Sequence, residues 1–265
     1  MVSDLDGTLL CTDKSISAKN LEAIAHFEAE GGLFSFVTGR PPIAMSPVLE
    51  QLRPKIPFGC LNGGGVYDHD NQRCIERTLL SREAFSLVEY VEKVIPTAGF
   101  EFVTFETSYL YRSNSVTEEL RRFERLPDNY VDSFDIPGNL CKILIGETSE
   151  RMPALMEAMR VHPDSEKYTM LRTAEEYYEI MPRGCHKGKS LLALAKHLKI
   201  DISKTIAVGD NSNDAAMLSV AGLGIAVANA NEDAKAAADV TLTVTNDEGA
   251  IANIVERLEA GTLSL

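Results

Sequence analysis

Apolar residues along this chain recur with two different periods, and the alternation between them sets the expected architecture. Leu21, Ile24 and Ala25 share one face of a 3.6-residue repeat, which predicts a helix over residues 18–30, stopped by Gly31-Gly32. Largely apolar runs of strand length follow at residues 33–37 and 58–61. The same exchange returns near the other end, with helices at 187–198, 213–220 and 232–238 between strands at 205–208, 223–227 and 240–244. A last helix begins near residue 247. Helices alternating with continuous apolar strands imply βαβ units and a mostly parallel sheet.

Between these two stretches the pattern restarts. Residues 65–75 read as a hairpin around an Asp-Asn turn. From about residue 80 to 182 there is a separate set of helices, at 82–95, 116–126 and 150–161. Its strands fall at 101–105, 109–112, 142–146, 168–172 and 177–181. The expected fold is therefore α/β: a Rossmann-like parallel-sheet core interrupted by an inserted α/β domain. The boundaries read as 1–80 and 184–265 for the discontinuous core and 81–183 for the insert.

Four polar clusters stand where predicted strands end. In Asp4-Leu5-Asp6-Gly7-Thr8 two carboxylates are spaced i, i+2, which puts both on one face of a strand. Open α/β sheets hold their ligands at the carboxyl ends of strands, so one acid can attack while the other moves a proton. By itself Asp-Leu-Asp-Gly also reads as a turn. Residues 33–37 run into Thr38-Gly39-Arg40, where a hydroxyl, bare backbone N–H groups and close approach at glycine suit a phosphate. Arg40 reads equally as a phosphate or substrate contact and as one half of an ion pair. Pro41-Pro42 then opens a short helix. Lys187 begins a helix, the end that the macrodipole makes unfavourable for a cation unless an anion meets it. Asp210 and Asp214 follow the strand at 205–208. Each cluster alone has a bland explanation in turns and caps; four in one chain argue for a built site.

Composition narrows the chemistry. The chain has 265 residues, 45% hydrophobic and 25% charged, so it can bury a sizeable core. Its formal net charge of −13 argues against a nucleic-acid partner. No apolar run approaches the ~20 residues that span a membrane, and acids at Asp4 and Asp6 interrupt any signal-peptide pattern. The five cysteines are scattered without C-x-x-C spacing, which fits reduced thiols and a cytoplasmic protein. The five histidines do not cluster with them, so zinc is disfavoured. A phosphate ester entering a site with several carboxylates needs a cation, and oxygen ligands of this kind suit Mg²⁺.

The four clusters resemble motifs I to IV of the haloacid dehalogenase-like hydrolase superfamily: Asp4 to Thr8, Thr38-Gly39-Arg40, Lys187, and Gly209 to Asp214. The closer likeness is to the Cof-type phosphatases, in Asn62-Gly63-Gly64, in Ala228-Asn229-Ala230 with Lys235 and Asp239, and in Asn246-Asp247-Glu248-Gly249. Ala228 stands where the family has glycine and Gly64 where it has alanine. A longer first strand ahead of Asp4 is also expected from the resemblance. The resemblance implies a Mg²⁺-dependent phosphatase acting on small phosphorylated metabolites such as sugar phosphates, as a monomer or small homo-oligomer, with the insert as a C2-type cap. It implies Asp4 as nucleophile, Asp6 as acid and base, Thr38 and Gly39 on the phosphoryl oxygens and Lys187 neutralising charge. It further implies Mg²⁺ on the Asp4 and Asp210 carboxylates and the Asp6 carbonyl, Asp214 orienting Lys187, Asn213 supporting the metal site or phosphate, and Asn62 and Asn229 lining the site. A phosphotransferase or phosphomutase would use the same intermediate. A non-catalytic ligand-binding protein would keep the scaffold, although retention of Asp4 and Asp6 speaks against it.

Overall fold

A computed structural model describes residues 1–264. The chain divides into two compact units. The first comprises Met1–Gly39, Pro47–Arg77 and the chain from His186 onward; the second comprises Arg40–Ser46 and Thr78–Cys185.

The first unit is built on a five-stranded sheet in the order Val240–Thr241, Leu223–Ala226, Ile206–Gly209, Val2–Ser3, Ser35–Phe36, with every pair parallel. Its strands are buried almost throughout, as continuous apolar runs between helical layers require. A single bridge from Val37 to Gly59 leads into an antiparallel sheet of Phe58–Cys60, Gly65–Asp68 and Arg73–Arg77. The expected hairpin is its second half, closed by Asn71 donating to the Asp68 carboxylate. The helix Ala18–Ala29 starts at Ser17, whose hydroxyl accepts the Asn20 N–H, and packs against the terminal helix Ala250–Glu259. That last helix begins later than its pattern suggests. Gly249 takes φ +91°, so residues 246–248 form a separate 3₁₀ turn. The segment at 213–220 likewise splits into a 3₁₀ turn, Ser212–Asp214, and the helix Ala215–Val220.

The second unit is a six-stranded sheet in the order Tyr168–Ala174, Tyr177–Pro182, Lys142–Gly146, Gly99–Val103, Ser108–Tyr111, Tyr130–Val131. All pairs are antiparallel except the last. One face carries Phe100, Phe102, Ile143, Ile145 and Ile180, buried under the helices Phe85–Val94 and Met152–Val161. The register sets Glu101 opposite Leu144 and Leu144 opposite Glu179, so alternation places Glu101, Lys142 and Glu179 together on the other face. The helix Ser115–Glu124 covers part of that face: a side chain on Gly99 or Gly146 would collide with Asn114 or Thr117. Lys142 Nζ lies 2.7 Å from Glu179 Oε1, both nearly inaccessible. The strand Tyr130–Val131 has too few residues for a recognisable period, and the sequence pattern misses it.

Candidate active site

The parallel register of the first unit brings the motif acids together. Asp4 donates its backbone N–H to Val208 O at 2.8 Å, which places it directly past the strand Val2–Ser3 and beside the strand that ends at Gly209. Asp210 follows at that neighbouring strand end. Gly7 makes the approach possible: at φ +83° it has no side chain to place, and a Cβ there would lie 2.5 Å from Asp210 Oδ2. The Thr8 hydroxyl donates to Asp210 Oδ1 at 2.7 Å, so the turn after Asp6 and the Asp210 loop hold each other.

Lys187 is the centre of the charge arrangement. Its Nζ is 2.7 Å from Asp4 Oδ1 and 2.6 Å from Asp214 Oδ1, and all three side chains are buried. Burial pulls the ammonium's pKa down, but Asp214 and Asp4 more than reverse this and leave it raised. The lysine reaches this place because Gly63, at φ +96°, lets the backbone of His186 pass. A Cβ on Gly63 would sit 2.1 Å from the His186 carbonyl oxygen. Leu61 and Asn62 also take left-handed φ values of 54° and 48°, an arrangement two side-chain-bearing residues adopt only when their surroundings impose it.

Asp4, Asp210 and Asp214 each offer an oxygen within 4.8 Å of the others. Asp214 is nevertheless not a free ligand. Its Oδ2 accepts the N–H groups of Asp210 and Asn211, each at 3.0 Å, while Oδ1 holds Lys187. Asp4 and Asp210 are the acids left to meet a cation. Both are disfavoured as anions: burial, then Asp214, raises Asp4 well above the usual carboxylate range, and the same two causes push Asp210 up to about 6. Asn213 adds a buried Oδ1 without a protein hydrogen-bond partner among the described residues. Excess carboxylate charge beside one ammonium, with an unsatisfied amide oxygen nearby, fits a hard divalent cation such as Mg²⁺.

The remaining expected residues are placed as follows. Thr38 is buried, donates its N–H to Gly59 O, and accepts the Asn62 N–H at its carbonyl. A side chain on Gly39 would strike Asn62, and Asn62 Oδ1 accepts from Asn213 Nδ2 at 3.1 Å, so these three residues form one cluster. Asn229 has both ends engaged, donating to Gly7 O at 2.8 Å and accepting from the Asn246 N–H at 3.0 Å. It braces the turn after Asp6. Arg40 belongs to the second unit, where its Nε is 3.9 Å from Glu124 Oε1 and its guanidinium lies over Phe123. Asp6 is half exposed and paired with Lys14, whose Nζ is 2.9 Å from its Oδ1. Lys14 was not singled out by the sequence pattern, since a lysine in a polar loop carries no spacing signal. Gly63 was legible only as part of a motif; what it makes room for lies 123 positions away, at His186.

The model of the haloacid dehalogenase-like hydrolase family Hydrolase_3 matches residues 1–255. The chain belongs to that family. Within it, the chain is 28% identical over 96% of its length to phosphatase YwpJ of Bacillus subtilis, covering 98% of that protein. It is 30% identical over 97% of its length to the 5-amino-6-(5-phospho-D-ribitylamino)uracil phosphatase YwtE of the same organism, covering 97% of it. Among solved structures, a haloacid dehalogenase-like hydrolase from Bacteroides thetaiotaomicron superimposes with a TM-score of 0.85 at 25% identity, over 97% of this chain and 98% of that one. The parallel core with an added antiparallel sheet is thus the family's architecture.

Proposed function

We propose that this member of the haloacid dehalogenase-like hydrolases is a Mg²⁺-dependent phosphatase of small phosphate monoesters that works through a phosphoryl-aspartate on Asp4. The observation that supports it most is the buried Asp4–Lys187–Asp214 arrangement. A nucleophilic carboxylate is held by a cation, and that cation is held by a second acid whose other oxygen is tied to the Asp210 loop. Splitting hydrolysis into two transfers replaces one very slow step by two easier ones.

In the first step an Asp4 oxygen bonds to phosphorus. The phosphorus–leaving-group bond breaks, and the leaving oxygen takes a proton from Asp6. In the second step Asp6, now a carboxylate, takes a proton from water as the water oxygen attacks phosphorus, releasing phosphate and restoring Asp4. Lys187 neutralises charge on Asp4 and on the transferring group; Thr38 and the Gly39 N–H hold phosphoryl oxygens. Asp4 and Asp210 would hold Mg²⁺, with the Asp6 carbonyl, and the ion would offset the negative charge that otherwise repels the substrate. Arg40 pairs with Glu124 and is given no role in this reading. The second unit acts as a cap that selects among leaving groups, and the relatives' named substrate points to a phosphorylated small metabolite.

Phosphate release from sugar phosphates, nucleotides, flavin mononucleotide and pyridoxal phosphate tests this. Turnover should stop with EDTA and return with Mg²⁺, and Asp4→Asn should abolish both turnover and covalent phosphorylation. Full activity in chelator, or a phosphoryl group trapped on another residue, would reject the reading.

A further inference from the structure

Asp6 differs from the other motif acids. Asp4 and Asp214 are buried and held by Lys187, whereas the Asp6 side chain is 39% accessible. A proton donor must be kept in line with the leaving oxygen, and burial alone does not do this for a half-exposed carboxyl. Lys14 meets Asp6 Oδ1 at 2.9 Å.

The position of Lys14 is itself enforced. Its φ of 67° is left-handed, a conformation that costs a residue with a Cβ more than a half-exposed ion pair returns. The loop around it is tied both from outside and within. The Thr12 N–H and hydroxyl both donate to the Asp247 carboxylate, at 2.7 Å each. Asp13 accepts the N–H and hydroxyl of Ser15, at 2.9 and 2.6 Å. Gln51 donates to the Lys14 carbonyl at 3.3 Å and accepts the Ile16 N–H at 2.8 Å. Two ties to other segments and one within the loop hold a strained backbone that brings an ammonium to the expected proton donor.

We propose that Lys14 is a positioning residue for Asp6: it fixes the carboxyl through one oxygen so that the proton passes to the leaving oxygen as the phosphorus–oxygen bond breaks. The inference rests on the phosphatase reading above. Its test exploits the leaving group, because p-nitrophenolate departs without a proton and an alkoxide does not. Lys14→Met should lower kcat/KM for an alkyl phosphate by at least about tenfold, short of the ~10²–10⁴ of a lost general acid. It should leave kcat/KM for p-nitrophenyl phosphate within about threefold, and Lys14→Arg should restore most of the alkyl phosphate rate. Asp247→Asn, which releases the loop without touching Lys14 or Asp6, should show the same selective loss in weaker form. Equal loss on both esters, or loss on neither, overturns the role of Lys14. A wild-type protein that hydrolyses neither ester with Mg²⁺ overturns the phosphatase reading itself, and this inference with it.

Discussion

Removing the Lys187 ammonium leaves Asp4 and Asp214 buried with no cation between them. Breaking a buried ion pair from one side costs about 3–5 kcal/mol, so Lys187→Met should lose thermal stability as well as nearly all turnover. Scanning calorimetry beside a phosphate-release assay checks both; a variant as stable as wild type would mean that the two acids are compensated elsewhere. A second buried acid gives a pH test. Burial raises the pKa of Glu101, opposed by a Ser108 hydrogen bond and by Lys142, and its Oε1 has no hydrogen-bond partner among the described residues. A carboxyl raised on folding contributes stability below its unfolded pKa and loses it as pH rises through the folded one. Glu101→Gln should therefore gain on wild type as pH rises above the usual carboxylate range, read as a growing difference in Tm. A constant difference would show that Glu101 does not titrate differently on folding. At this scale the motif acids and Lys187 were legible because their chemistry is rare at strand ends. Lys14 was not, since a lysine in a polar loop has no spacing signal, and for Arg40 the ion pair was one of two readings but Glu124, far along the chain, left no local pattern.

Among elements, the turn over residues 61–63 does the most with the fewest atoms. It turns the chain at the end of Phe58–Cys60, presents Asn62 to Asn213, and leaves at Gly63 the space through which His186 leads into the Lys187–Leu198 helix. Gly63→Ala asks for a Cβ 2.1 Å from a carbonyl oxygen at a left-handed φ. Overpacking of this kind costs typically about 1–3 kcal/mol, with strain added. The helix start must retreat and carry Lys187 with it. Activity should fall at least about tenfold while the Tm drops by several degrees, because a small displacement of a charged group is amplified in rate. Wild-type turnover in Gly63→Ala would show that the helix start has room to move. The helices and strands themselves were read well where the period was long. They were misread at their ends, where Gly249 and the Ser212–Asp214 turn break a continuous apolar pattern by backbone geometry alone.

Across the whole molecule, the alternation of periods revealed the parallel core and the insert. It could not reveal that the second unit also claims Arg40–Ser46. Seven residues are too short for a period, and their allegiance is set by contacts such as Arg40 with Glu124 and Phe123. The chain therefore passes between units four times: after Gly39, Ser46, Arg77 and Cys185. Excising residues 78–185 alone removes Glu124 and Phe123 from beside a guanidinium that is only 7% accessible. Such a truncation should refold better, by yield and Tm, when Arg40→Ser is added; equal behaviour with and without it would show that the arginine needs no partner. The feature also matters for engineering. By its contacts the inserted unit is not one continuous block, because residues 40–46 group with 78–185. Chimeras that exchange residues 78–185 alone with a relative separate Arg40 from Glu124 and Phe123, and well-folded recombinants should be those in which residues 40–46 travel with 78–185.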